Sequence, residues 1–291
     1  MMLSKAEGTD MMPFVSIVIP TLNRRHSLRN CLTSLINMNY PMSKFEIIVV
    51  DNGCTDGTER LLEREFPEVR IIFEKKKGVA FARNTGSKHA KGLIIAYTDD
   101  DCIVDPNWLR SLVSGFTMRK IGGVGGPVFH YNPNSVPERF WVDRTRPLYF
   151  GNKKLFVKTL ITGNLAVRRE VFEKIQFDSS FIFHHNEDID FVKRISEQGY
   201  KLLYEPTAVV YHNVDSKRSR LNYIVKTAFF GGISLYLLER KRAKGILIPK
   251  MLRAFLGSIL RFFKERTVAS FYWLVECSLA LISSIFLDIL E

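Results

Sequence analysis

Between residues 14 and 128 the chain repeats one unit: a short β-branched run, a turn rich in Asp, Asn and Gly, then apolar residues at helical spacing. Strands that alternate with amphipathic helices need crossover connections to pair. That restricts the chain to an α/β fold with a mixed, mainly parallel sheet. Residues 15–19 read as a buried first strand, and Leu28, Cys31, Leu32 and Leu35 follow on one helical face. Residues 46–50 predict a second strand, and Leu61, Leu62 and Phe66 a helix; 70–73, 80–90 and 93–97 continue the alternation before a helix through Trp108, Leu112 and Phe116. From Phe129 to Lys158 the rhythm breaks, with Pro133, Pro137 and Pro147 set among Trp141, Tyr149, Phe150 and Phe156, which predicts an irregular insertion or lid. Regularity returns with a strand at 165–167, a short helix from Arg169, a helix at 187–198 and a strand at 208–211.

Length and composition narrow the class. A chain of 291 residues with 46% apolar content can bury a large core in one or two domains, which excludes intrinsic disorder. Its four cysteines form no CxxC pair, so neither a disulfide framework nor a cysteine zinc site is predicted, and a reducing compartment suits them. The first ten residues lack the apolar run of a secretory signal, so the N-terminal body is expected to stay in the cytosol.

The net charge of +12 is concentrated. Residues 215–266 hold thirteen Lys or Arg against Asp215, Glu239 and Glu265, which accounts for ten of the twelve charges. The nearly neutral remainder is unlike a domain that tracks a phosphate backbone, so no nucleic-acid partner is expected. Residues 267–287 then carry one charge, Glu276, in a run long enough to cross a bilayer. Ser270, Ser278, Ser283 and Ser284 dilute it, so an interfacial helix, or a hairpin folded on the domain, stays open beside a true span. The predicted organisation is a flexible N-terminus (1–12), an α/β domain (13–214, with the insertion at about 129–160) and a helical membrane-associating region (215–291).

In a parallel α/β sheet, ligands collect at the carboxyl ends of the strands. Here those ends carry Asn23 and Arg24, then Asp51, then Asp99, Asp100 and Asp101. Asp99 and Asp101, two apart, can face one side and share a divalent cation. Three consecutive aspartates repel one another unless a cation or hydrogen bonds compensate them. A solvated acidic turn is the plain alternative.

The wider context is PFVSIVIPTLNR at 13–24, EIIVVDNGCTDGT at 46–58, KGVAFARNTGSKHAKGLIIAYTDDDCIVDPNWL at 77–109 and NEDIDFVKRISEQGYKLLYEPTAVVYH at 186–212. Together these resemble the nucleotide-sugar-dependent glycosyltransferases of family 2, which have the GT-A fold; the likeness covers about 15–212. It implies that Asp51 accepts a hydrogen bond from the nucleotide base, with Pro20, Thr21 and Arg24 beneath base and ribose. It places Arg83 and Asn84 beside the nucleotide and its phosphates, with Gly78 and Gly86 allowing close backbone approach. Asp99, Asp100 and Asp101 match the family's acidic motif. Asp101 is the leading metal ligand, and Asp99 and Asp100 are assigned to ribose or outer contacts, Asp99 also being a candidate ligand. His212 matches a histidine that some members use as a further ligand, and imidazole suits Mn²⁺ better than Mg²⁺.

Glu187 and Asp188 resemble the family's ED pair, in which the aspartate deprotonates the acceptor hydroxyl; adjacent carboxylates at a helix start point apart, so only one can do so. Thr162, Gly163 and Asn164 fall where the family borders acceptor and donor sugar. Arg194, on nearly the same helical face as Glu187 and Asp190, is either a structural partner or a phosphate contact. Cys54 and Asn186 stand where serine and glycine are usual, and the QxxRW motif of processive members is missing, which implies single-sugar transfer.

The expected activity is inverting transfer of one sugar from a UDP- or dTDP-sugar, with Mn²⁺ or Mg²⁺, to a glycan or lipid-linked acceptor. The expected place is the cytosolic membrane face, held peripherally or by one C-terminal anchor; association between copies of the chain stays open. Two alternatives are a nucleotidyltransferase acting on sugar phosphates and a non-catalytic adaptor that uses only the basic segment. The first lacks a glycine-rich basic loop after strand one.

Overall fold

The computed structural model describes residues 12–131, 149–181 and 186–213, with isolated positions between 223 and 282. Within residues 12–131, 149–181 and 186–213, eleven strands alternate with six α-helices. In order these are β1 (Val15–Thr21), α1 (Arg25–Ile36), β2 (Phe45–Asp51), α2 (Thr58–Glu65), β3 (Arg70–Phe73), α3 (Val79–His89), β4 (Ile94–Tyr97), β5 (Cys102–Val104) and α4 (Trp108–Ser114). There follow β6 (Ile121–Gly125), β7 (Val128–His130), β8 (Leu155–Val157), β9 (Leu165–Arg168), α5 (Arg169–Lys174), α6 (Glu187–Glu197), β10 (Lys201–Tyr204) and β11 (Val210–His212).

The main sheet has eight strands in the order β3-β2-β1-β4-β9-β6-β10-β8. β1 pairs parallel with both β2 and β4, whereas β9 runs antiparallel between β4 and β6. The strand order therefore reverses at β1, and the crevice at the carboxyl ends of β1, β2 and β4 is where a doubly wound sheet takes a ligand. β1 is buried along its whole length, because helices cover both faces and a continuous apolar run is needed to fill them. Leu28, Cys31, Leu32 and Leu35 of α1 pack on one face, and Ala80 and Ala82 of α3 on the other. α3 lies close to the sheet through Gly86, where an added Cβ would stand 2.5 Å from Val18 and 2.8 Å from Val50. The close approach at Gly86 is thus of helix to strand.

A second sheet, β5-β11-β7, sits at the edge of this crevice. Its register sets His212 opposite Cys102 on one side and His130 on the other. Asn164 braces it: the buried amide donates to the carbonyls of Pro127 (2.9 Å) and Ala208 (2.7 Å), and its oxygen accepts from the Trp108 indole (2.8 Å).

Strands β7 and β8 lie at the two ends of the stretch expected to be irregular; its middle, 132–148, falls outside the described residues, as do 1–11. Most of 214–291, including most of 267–287, also falls outside them. Among the described residues no helix is long and apolar enough to cross a membrane.

Candidate active site

Each strand end at the crevice delivers polar side chains into a loop whose backbone is tied down by another loop. Asp51, the last residue of β2, is buried, and its Oδ1 accepts the N–H groups of Gly53 and Cys54, both at 2.7 Å. Cys54 takes over the bridging expected of a serine there, its sulfur accepting the Asn23 N–H at 3.2 Å. Asn23 adopts φ +55°, a left-handed conformation that asparagine tolerates, and its Oδ1 accepts the Thr55 N–H at 2.7 Å. Asp51 therefore sits on a preset rim formed by the β1 and β2 loops, with Pro20 and Thr21 in the adjoining register positions.

Each of the three aspartates after β4 is engaged, Asp99 by Arg83 and the other two by a shared Arg24. Asp99 accepts from Arg83 at 2.8 Å. Asp100 is buried and accepts from the Thr21 hydroxyl and from Arg24, each at 2.8 Å; burial pushes its carboxyl up, offset in part by the Arg24 guanidinium. Asp101 is buried too, with Arg24 at 3.1 Å and the His212 Nε2 at 3.3 Å. Ligand atoms of Asp99, Asp101 and Cys102 all lie within 4.8 Å of one another.

That donor set suits a divalent cation. Hard Mg²⁺ and Mn²⁺ prefer carboxylate oxygen, and the His212 imidazole tilts the choice toward Mn²⁺. Cys102 is a weak contributor because soft sulfur suits neither of these hard cations, and burial pushes its thiol well above the ordinary range. Gly163 borders the same space, since a Cβ on it would stand 3.3 Å from Asp99 Oδ2.

Across the crevice, Asn186 takes φ +64° and turns the chain into α6, so that Glu187 and Asp188 open the helix. Their environments differ sharply. Glu187 is buried and held by Arg83 at 2.6 Å. Asp188 is half-buried, with Oδ1 accepting the Ile189 N–H at 2.8 Å. Burial, with the like charge of Glu187 beside it, pushes the Asp188 carboxyl up to about 7, against the pull of Arg83. A proton acceptor near neutral pH is what general-base chemistry needs.

Polar contacts join Thr21, Arg24, Asp100, Asp101 and His212 in one chain and Asp99, Arg83 and Glu187 in another; the peptide between Asp99 and Asp100 links the two, and Asp188 follows Glu187 in the helix. Other expected site residues have their polar groups engaged within the fold. Asn84, expected beside the nucleotide, exchanges two hydrogen bonds with the Phe177 backbone, at 2.8 and 2.9 Å. Asn164, expected near the sugars, is the buried brace described above, and Thr162 is buried beside it. Arg194 pairs through Nε with Asp190 at 2.7 Å one helical turn away.

Two neighbours carry no local sequence signal. Cys102 directly follows the aspartates, and His130 lies 6.3 Å from His212, ring to ring. Burial, with the His212 imidazole alongside, pushes the His130 imidazole down to about 4, so it is neutral at physiological pH. Only strand register shows that these residues meet.

Comparison with known proteins places the chain in one family. A family model described as "Glycosyl transferase family 2" matches residues 16–176. The glycosyltransferase AglE of Haloferax volcanii is 32% identical over 212 residues, covering 70% of this chain and 68% of its own length. A Methanococcus voltae dolichyl N-acetyl-α-D-glucosaminyl phosphate 3-β-D-2,3-diacetamido-2,3-dideoxy-β-D-glucuronosyltransferase is 25% identical over 255 residues, with 82% and 75% coverage. Among solved structures, the mannosyltransferase of Pyrobaculum calidifontis in complex with GDP-Man and Mn²⁺ superposes with a TM-score of 0.63 at 18% identity, over 95% of this chain and 87% of that one.

Proposed function

The chain belongs to glycosyl transferase family 2 and is a glycosyltransferase with the GT-A fold, and from that premise we propose that it transfers one sugar from a nucleoside diphosphate sugar to a hydroxyl of a lipid-linked glycan, with inversion. The observation that carries this reading is the pairing across one crevice of the half-buried, proton-accepting Asp188 with the cation-suited carboxylates of Asp99 and Asp101.

Asp188 takes the proton of the acceptor hydroxyl as that oxygen attacks the anomeric carbon. The bond from that carbon to the diphosphate oxygen breaks in the same in-line step, and the nucleoside diphosphate leaves. A single base and no covalent sugar intermediate give inversion. Asp101, Asp99 and His212 would hold Mn²⁺ or Mg²⁺, which when bound offsets the charge gathering on the departing diphosphate. Asp51 presents an acceptor to a base with an amide N–H, such as uracil or thymine, so UDP- or dTDP-sugars are the proposed donors. The name of the Methanococcus relative supports a polyprenyl-phosphate-linked acceptor.

A panel of UDP-, dTDP- and GDP-sugars with Mn²⁺, scored by nucleoside diphosphate release in the presence of polyprenyl-linked saccharide, tests this. Release that needs both acceptor and cation, with a product anomer opposite to the donor's, supports the reading. Pyrophosphate as product would replace it with nucleotidyl transfer.

The acceptor class also favours a membrane location. The basic stretch that follows Asn213 in the sequence would draw anionic headgroups to the chain. The full chain should co-sediment with anionic vesicles and lose most of that binding between low and high salt. Equal partition onto neutral vesicles would refute an electrostatic attachment.

A further inference from the structure

Arg83 and Asn84 open no path to a phosphate; both turn inward from one turn of α3. Arg83 is 3% exposed, and the two ends of its fork reach opposite sides of the crevice, Asp99 at 2.8 Å and Glu187 at 2.6 Å. Its remaining donor, Nε, is buried without a hydrogen-bond partner among the described residues, as is Glu187 Oε2. The guanidinium carbon lies over the Phe177 ring, 5.7 Å from its centre. Phe177 in turn stacks on Phe191 of α6 (4.0 Å, 23°) and meets Tyr97 of β4 edge-on at 5.3 Å. Asn84 clamps the Phe177 backbone from the next position. One turn of α3 therefore grips both the helix that carries Asp188 and the strand that delivers the aspartates.

We propose that Arg83 is a positioning residue that fixes Asp188 relative to the cation-side carboxylates by holding Glu187 and Asp99 together, and that it does not bind the donor's phosphates. This rests on the glycosyltransferase reading. The charge of Glu187 is balanced inside the protein, so Asp188, next along the helix, is left as the proton acceptor facing the crevice. A planar fork can bridge two carboxylates in fixed directions, which a lysine ammonium cannot. The unpartnered Nε and Oε2 fit this reading, since the pair is oriented by its two far ends and not by a closed bidentate contact.

The test is a double-mutant cycle of Arg83→Gln, Glu187→Gln and the double variant, with Arg83→Lys alongside. Turnover, Kd for nucleoside diphosphate with Mn²⁺ by calorimetry, and Tm are read for each. Each single change should lower kcat about a hundredfold, the cost of a small misplacement of a reacting group. Kd should stay within about threefold of wild type. The double variant should be no slower than the slower single, because both remove one strut. Arg83→Lys should recover Tm but not kcat, which separates positioning from bulk stability, and it carries the test with Glu187→Gln where Arg83→Gln does not fold. A Kd weakened about tenfold or more in an Arg83 variant, or kcat losses that multiply in the double variant, overturns the proposal. Absence of turnover by wild type with every sugar donor would instead strike the glycosyltransferase reading beneath it.

Discussion

Asp188→Asn should abolish sugar transfer to within about a thousandth of the wild-type rate while leaving nucleoside diphosphate affinity unchanged, because it removes a general base and no donor contact. The same substitution should make the protein more stable at pH 8. The ordinary aspartate value is 3.8 and the folded protein raises it to about 7, so the folded state binds this proton more tightly than the unfolded chain does. Stability from that proton is fully present below about 3.8 and is lost as pH rises through about 7. Asparagine mimics the protonated form and escapes the loss. Thermal unfolding of the two proteins should therefore differ by a few degrees at pH 8, with the variant higher, and converge toward pH 4. A variant that is both inactive and less stable at pH 8 would mean that Asp188 caps the helix and does no proton chemistry.

Asp101→Asn has the second-largest expected effect. Asp101 is the buried carboxylate of the cation-suited cluster and lies 3.3 Å from the His212 Nε2, so it is the ligand whose loss the site can least replace. If charge stabilisation at the leaving group is worth about 3–4 kcal/mol, then at about 1.36 kcal/mol per tenfold its removal slows turnover some 150- to 900-fold. His212→Ala should cost less, about ten- to a hundredfold in cation affinity. Mn²⁺ binding followed by electron paramagnetic resonance separates the two variants without reference to turnover. Equal Mn²⁺ affinity in Asp101→Asn and wild type would remove Asp101 from the ligand set. Asn retains the size of the side chain, so Tm serves as the control for folding.

The parts of this site that were readable in the sequence are those with a local pattern. β1, β2 and β4 end in polar loops after unbroken apolar runs, and α1 shows its buried face at helical spacing, so Asp51 and Asp99–Asp101 could be placed at strand ends before any coordinates. β5 and β7 are three residues each and β10 is four, too short for a period to be recognised; β11 is legible as a strand at 208–211, but nothing in its own pattern gives its partners. Hence the juxtaposition of Cys102, His212 and His130 could not be read. Side-chain direction was equally hidden. Arg83 and Asn84 sit in a motif that resembles a nucleotide contact, yet which way they point depends on Phe177 and Glu187, 93 and 104 positions from their partners. Asn164 is similar: a polar residue in a tight turn is usually assigned to a ligand, and only its three buried partners show it bracing the small sheet instead. The division of labour in the ED pair followed the same rule. Sequence supplied two adjacent carboxylates; the structure adds that Glu187 is buried against Arg83, and on the proposed reading Asp188 is the one that accepts a proton.

The most direct measurement is the pH dependence of nucleoside diphosphate release at saturating donor, cation and acceptor. With Asp188 as proton acceptor, the rate falls below an apparent pKa near 7, and this acid limb is lost from the residual activity of Asp188→Asn. A wild-type rate that holds level from pH 8 down to about 5, or an acid limb that survives unchanged in Asp188→Asn, contradicts it.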